Sequence, residues 1–240
     1  MFVKGNIILL ENEGFGNTNY DIVRSFLYMV DMNMMMALEQ PYFSTIRCIV
    51  THTEDNPMCS KVGDKHLIFL NTKGDFWCQW VYQFAHEYCH HLINGSLTGE
   101  WSKLLWFEET ICELSSLYNL HKMIGFCMEK DLKGYSCSVD NYLNNLLTKN
   151  SGIIELGVDG GWYKQYKVIL QEKGYKRDVY NAIAVLIYPL FIHNPSLWKL
   201  ILNIGDIRSW NSLEELFDNL QIKSDQSYSD SLRKLRTFFS

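Results

Sequence analysis

Apolar positions recur at helical spacing through most of the chain, and only the first seventy residues carry runs of strand type. Residues 2–10 suit a first strand, followed by a Gly- and Asn-rich turn over 13–19. Between 21 and 39, Ile22, Phe26, Met29, Val30, Met36 and Ala37 fall on one helical pattern, which Pro41 ends. The Met-rich patch from Met29 to Met36 reads as core filling. Residues 45–51 have the β-branched content of a strand, 52–63 form a polar loop with Pro57 and Gly63, and 66–71 are a short apolar strand. Asp75 is a good N-cap for the run 76–92, which is free of Pro and Gly and places Trp77, Val81, Phe84 and Tyr88 on an apolar stripe. Asn94-Gly95 supplies its stop signal. Past residue 100 strand-like runs become scarce. Helices are expected over 104–123, then a short one at 142–147 within a loop-rich connection (134–161), then at 161–173, 177–192, 196–203, 213–220 and 229–238. The fold class expected is α+β, with a small N-terminal sheet and its helix in residues 1–100 and a mainly helical lobe in 101–240.

The polar side of the 76–92 helix changes the picture. Gln83, His86, His90 and Asn94 share a stripe, and His86-Glu87-Tyr-Cys-His90 reads His-Glu-x-x-His. Residues four apart on a helix project from nearly the same face, so both imidazoles can reach one tetrahedral Zn²⁺. Glu87 then leans toward the open side of the metal, where it can take a proton from a bound water. A catalytic zinc usually has three protein ligands and one open position. The segment Trp106-Phe-Glu-Glu-Thr-Ile-Cys-Glu113 offers the third, because Glu109 follows His90 after eighteen intervening residues. A helix, a turn and an antiparallel helix would bring it back to the metal. Glu113, one turn beyond Glu109, is placed to accept a hydrogen bond from the free ring N–H of a ligating His. Glu108 reads as surface or cleft rim, Cys89 as a small buried hydrophobe, and His91 as structural or exposed, since it points about 100° away from His90. His52, His66, His121 and His193 read as satisfied surface or core residues.

His-Glu-x-x-His, eighteen residues and then Glu resembles the gluzincin metallopeptidase pattern, closest to the aminopeptidase N and leukotriene A4 hydrolase group. In that group the third ligand sits in Trp-Leu-Asn-Glu-Gly-Phe-Ala; Trp106-Phe-Glu-Glu-Thr-Ile-Cys112 is similar, with Glu109 in the ligand place. The resemblance spans about 66–123 and implies a zincin-like fold, with zinc held by His86, His90 and Glu109. Thermolysin-like relatives carry an Asp four residues after the ligand Glu, a place Glu113 takes here. The group's oxyanion donor is a Tyr that starts a helix of the second lobe, and Tyr180-Asn-Ala-Ile-Ala-Val-Leu-Ile-Tyr188 is similar in spacing, which implies that role for Tyr180. The resemblance also implies that the strand before the zinc helix, Leu67 to Leu70, edges the cleft and pairs with substrate. The group's Gly-x-Met-Glu-Asn segment has no counterpart between Pro41 and Asp75, which points away from aminopeptidase specificity.

Composition bounds the rest. With 240 residues and 47% apolar content the chain can bury a sizeable core. A net charge of -5 with no basic face argues against nucleic acid as a partner. No apolar run approaches the roughly 18 residues of a membrane span, and the first ten residues lack the h-region of a signal peptide. Seven scattered cysteines with no Cys-x-x-Cys read as reduced thiols, hence a cytoplasmic protein. The function expected is zinc-dependent hydrolysis of a peptide or protein substrate. The rivals are a small-molecule amide or ester hydrolase on the same scaffold, and a zinc-binding regulatory module derived from a peptidase.

Overall fold

A computed structural model of the chain describes residues 2–4, 6–39, 47–93, 102–154, 161–174, 176–224 and 226–240. The architecture is α+β, with helices dominating. The strands are β1 (Phe2–Lys4), β2 (Ile7–Leu9), β3 (Cys48–His52), β4 (Met58–Val62) and β5 (Lys65–Leu70). The helices are α1 (Tyr20–Ala37), α2 (Trp77–Ile93), α3 (Leu105–Glu129), α4 (Lys133–Asn150), α5 (Trp162–Gln171), α6 (Arg177–His193), α7 (Leu213–Ile222) and α8 (Gln226–Phe238), with short 3-10 turns between some of them.

The strands form one sheet in the order β1-β2-β3-β5-β4. β2, β3 and β5 run parallel, and the flanking β1 and β4 are antiparallel to their neighbours. Register stacks Ile7 beside Cys48 beside His66, and Leu9 beside Val50 beside Ile68, all six side chains being buried. One face of the central strands is therefore a continuous apolar surface interrupted by one imidazole. α1 supplies the crossover between β2 and β3, as parallel pairing requires.

Three expectations need correction here. Residues 2–10 are two strands, because the chain reverses between Lys4 and Ile7. Residues 58–62, expected as loop, are β4; a two-residue connection, Gly63-Asp64, joins it to β5, with Gly63 at φ +63° as the Gly-first hairpin turn demands. That hairpin covers β5, so Leu67 to Leu70 lies in the sheet interior and cannot pair with a substrate strand. The edge strands are β4, on the β5 side, and the three-residue β1 on the other.

The chain divides into two compact units, Met1–Leu92 with Ser115–Asn145, and Ile93–Leu114 with Leu146–Ser240. The first holds the sheet, α1 and α2, with Phe26 of α1 against Trp77 and Phe126 at 5.8 Å between ring centroids in each case. The Met-rich patch is split: Met29, Met34 and Met35 are buried, whereas Met32 and Met36 face solvent. α4 spans eighteen residues where a six-residue helix was expected. Its inner stripe is Ser136, Val139, Leu143 and Asn150, partly polar, which hides the helical period from hydropathy alone. The second unit packs Trp106, Tyr163, Phe217 and Phe239 into an aromatic cluster, and the Trp162 indole donates to the Phe238 carbonyl at 2.9 Å. Among the described residues no single helix is long and apolar enough to cross a membrane.

Candidate metal centre

α2 starts from a tight approach of two loops. Gly74 takes φ +54°, its N–H donates to the Phe15 carbonyl at 2.8 Å, and its own carbonyl accepts the Trp80 indole N–H at 3.1 Å. Asp75 contributes its backbone carbonyl, which accepts from the Trp77 N–H and the Tyr135 hydroxyl. From there Trp80, Val81, Phe84, Ala85, Tyr88, Cys89 and Leu92 line a fully buried apolar stripe. Cys89 is thus the buried hydrophobe its position implied. The Asn94-Gly95 stop signal lies outside the described residues.

Two polar side chains anchor the buried face of α2. The Tyr88 hydroxyl donates to Asp31 of α1 at 2.6 Å, and both residues are buried. Burial, and then the Asp31 charge, push the Tyr88 hydroxyl well above its ordinary pKa, so it stays a donor. His91 is buried and structural: its Nδ1 meets Nδ1 of His66 at 2.7 Å, one ring donating and the other accepting. Burial, reinforced by His66, lowers the His91 pKa to about 3 and keeps the His91 ring neutral.

α3 faces a different constraint. Between Trp106 and Leu120 every side chain is buried except that of Glu109, which is half-exposed. In the same way His90 is the only residue between Phe84 and Ile93 that is not buried. An apolar helix buried all round is a core element, so a half-open carboxylate on it stands out. The two exceptions meet. Donor atoms of His86, His90 and Glu109 all lie within 4.8 Å of one another, and the two imidazole rings pack edge to face at 5.2 Å. Ligands about 2.0–2.1 Å from one four-coordinate ion sit roughly 3.4 Å apart, so a modest contraction would let this trio hold a divalent metal. Two imidazoles and a carboxylate suit zinc and other first-row divalent ions alike.

Glu87, next to His86, is 6% exposed, and Glu113, one turn past Glu109, is 2% exposed. Glu108 is buried, not a rim residue, because α3 is enclosed on that side as well. Tyr180 sits in the first turn of α6, buried, with its hydroxyl donating to the Gly174 carbonyl at 3.2 Å. Burial raises its pKa, and the negative charge of Glu109 adds to the rise. His193 donates from Nδ1 to the Pro189 carbonyl at 2.6 Å, a local bond within α6. His52 packs edge-on to Phe15 at 5.1 Å.

Besides the His66–His91 pair, the contacts to α2 not assigned from the sequence include three more. Asp31 receives Tyr88 as described. Ser115 Oγ donates to the Ala85 carbonyl at 3.0 Å, and Ser116 Oγ to the Tyr82 carbonyl at 2.7 Å. The only available signal was a serine doublet in the interior of a helix, where serine is a poor helix former. None of the seven cysteines is in a disulfide. The chain matches no protein-family model, no curated protein and no solved structure.

Proposed function

We propose that the chain is a zinc-dependent metallopeptidase of gluzincin type, acting on peptide or protein substrates. The observation that carries this reading is the convergence of His86, His90 and Glu109, half-open on an otherwise buried pair of helices, with Glu87 beside the first ligand. A purely structural metal site has no use for a carboxylate in that place. Zinc bound there supplies a Lewis acid that brings the pKa of water near 7.

The remaining steps belong to side chains. Glu87 takes a proton from the attacking water and delivers it to the leaving amine, which cannot depart as an anion. The Tyr180 hydroxyl, protonated at neutral pH as an ordinary phenol is, donates to the developing oxyanion once it turns from the Gly174 carbonyl. Glu113 orients a ligand imidazole through its outer N–H. An extended peptide pairs with the open edge of β4.

The test compares metal content by plasma mass spectrometry in wild type, Glu109→Ala and Glu87→Gln, with a peptide-library screen on each. About one zinc per wild-type chain, sharply reduced in Glu109→Ala, is expected, together with zinc retained and hydrolysis lost in Glu87→Gln. Undiminished zinc in Glu109→Ala would refute the three-ligand site. Full hydrolysis by Glu87→Gln would refute the mechanism. Metal without hydrolysis of any peptide would favour the regulatory-module reading.

A further inference from the structure

We infer that Ser115 and Ser116 are positioning residues for the metal centre, a register clamp that sets Glu109 opposite the two histidines; this rests on the metal-centre reading above. Their hydroxyls reach across to α2 and donate to the Ala85 and Tyr82 carbonyls at 3.0 and 2.7 Å. Both serines are fully buried, so no water competes for these bonds. Each acceptor carbonyl is already engaged within α2, Tyr82 by the N–H of His86 and Ala85 by the N–H of Cys89, as helical geometry requires. The clamp therefore grips the helical turn from which the first ligand projects.

The two bonds also define a register. The later residue of α3 meets the earlier residue of α2, so the helices run antiparallel at this point. Glu109 lies seven residues before Ser116, two turns along the same face and about 10 Å along the axis. Seven residues beyond Tyr82 on α2 is Cys89, whose level falls between the projections of His86 and His90. The register fixed by the two hydroxyls thus brings the third ligand level with the first two, in agreement with the 4.8 Å clustering of their donor atoms. Van der Waals packing alone would tolerate a small slide or roll of α3, whereas two directional bonds to successive turns of α2 do not.

Neighbouring polar groups reinforce the arrangement. Asn119, one turn beyond Ser115, donates to the Ser115 carbonyl at 3.0 Å and accepts from Asn33 of α1 at 3.2 Å. The serine that grips α2 is thereby tied to a third helix. Groups that hydrogen-bond a metal ligand directly change metal affinity by about 10–100-fold when deleted; Ser115 and Ser116 act one step further out, through the α2 backbone, so the low end of that range sets the expected effect.

The experiment measures Zn²⁺ and Co²⁺ affinity by competition with a chromophoric chelator, and records the visible Co²⁺ spectrum as a reporter of coordination geometry. Wild type, Ser115→Ala, Ser116→Ala and Ser136→Ala are compared. Ser136 is the matched control: its buried hydroxyl donates from α4 to the Ile124 carbonyl at 3.3 Å, the same type of interhelical bond applied to α3 away from α2. Ser116→Ala is expected to weaken both metals by about tenfold or more and to alter the Co²⁺ bands, and Ser136→Ala to bind within about twofold of wild type. Should Ser116→Ala not fold, as judged by circular dichroism, Ser115→Ala decides the matter by the same criteria. Wild-type affinity and spectrum in both serine variants would overturn the clamp while leaving the metal centre intact, and so would an equal loss in Ser136→Ala. A wild-type protein that binds neither metal would overturn the metal-centre reading and the clamp with it.

Discussion

Removing one oxygen atom from the buried face of α2 should destabilise the protein several times more than a typical surface substitution. In Tyr88→Phe the Asp31 carboxylate, 3% exposed, loses the donor that sits 2.6 Å from its Oδ1. Among the described residues the other donor to it is the Asn6 amide at 3.4 Å, too long to compensate. A hydrogen bond to a charged group contributes about 1.5–3 kcal/mol, and stranding a buried acceptor carries a desolvation penalty of the same order. The expected loss is about 3 kcal/mol, or roughly 6–12 °C in Tm for a chain of this size. Urea unfolding of metal-free protein, followed by circular dichroism, measures it. The companion variant Asp31→Leu and the double variant complete a cycle. The double variant should be less destabilised than the two singles added together, because it leaves no stranded charge. A Tyr88→Phe loss under about 0.5 kcal/mol, with additive singles, would show that this bond does not hold α2 in place.

Acid should act through His91. Its folded pKa of about 3 lies below the unfolded value near 6.5, so the unfolded state binds more protons between those limits. Stability is fully present above pH 6.5 and falls as pH drops toward 3, by about 1.4 kcal/mol per unit; metal-free His91→Phe should show a shallower slope, and an identical slope would contradict the assignment. Tyr180→Phe should leave metal content unchanged and lower kcat about 10²–10³-fold, and an unaltered kcat would remove the phenol from the reaction. Thiol labelling of the native protein should find one fast cysteine, the exposed Cys137, with Cys59 and Cys78 slower. Burial pushes the Cys78 thiol up to about 11, and the buried Cys48, Cys89, Cys112 and Cys127 should react only on unfolding.

The elements legible in the sequence were those whose burial is apolar and regular. α2 carries an uninterrupted run without Pro or Gly, and its periodicity and its ligand spacing reinforce each other. β4 escaped because Met58-Cys-Ser-Lys-Val62 is an edge strand, exposed at Met58, Lys61 and Val62, with little β-branched content to mark it. The extent of α4 escaped because half of its inner stripe is Ser136 and Asn150. Within the candidate centre, the spacing of His86, His90 and Glu109 anticipated their cluster, since few residues separate the end of α2 from the start of α3. The His66–His91 and Asp31–Tyr88 pairs join residues on different elements, and no local pattern announces a partner. Ser115 and Ser116 are silent for a further reason: a hydroxyl bonded to a backbone carbonyl places no demand on the identity of the residue opposite.

The division of the chain into interleaved segments bears on how the protein is made. The unit that holds the sheet and α2 takes its remaining helices from Ser115–Asn145, so it cannot be completed when Leu92 leaves the ribosome. At about 5–20 residues per second, synthesis from Leu92 to Asn145 takes roughly 3–10 s. For the first part of that interval, until α3 is complete at Glu129, the apolar flank of α2 that α3 will cover lacks that helix, although the Tyr82 and Ala85 carbonyls are already bonded within α2. Slow codons placed before residue 129 would lengthen that exposure.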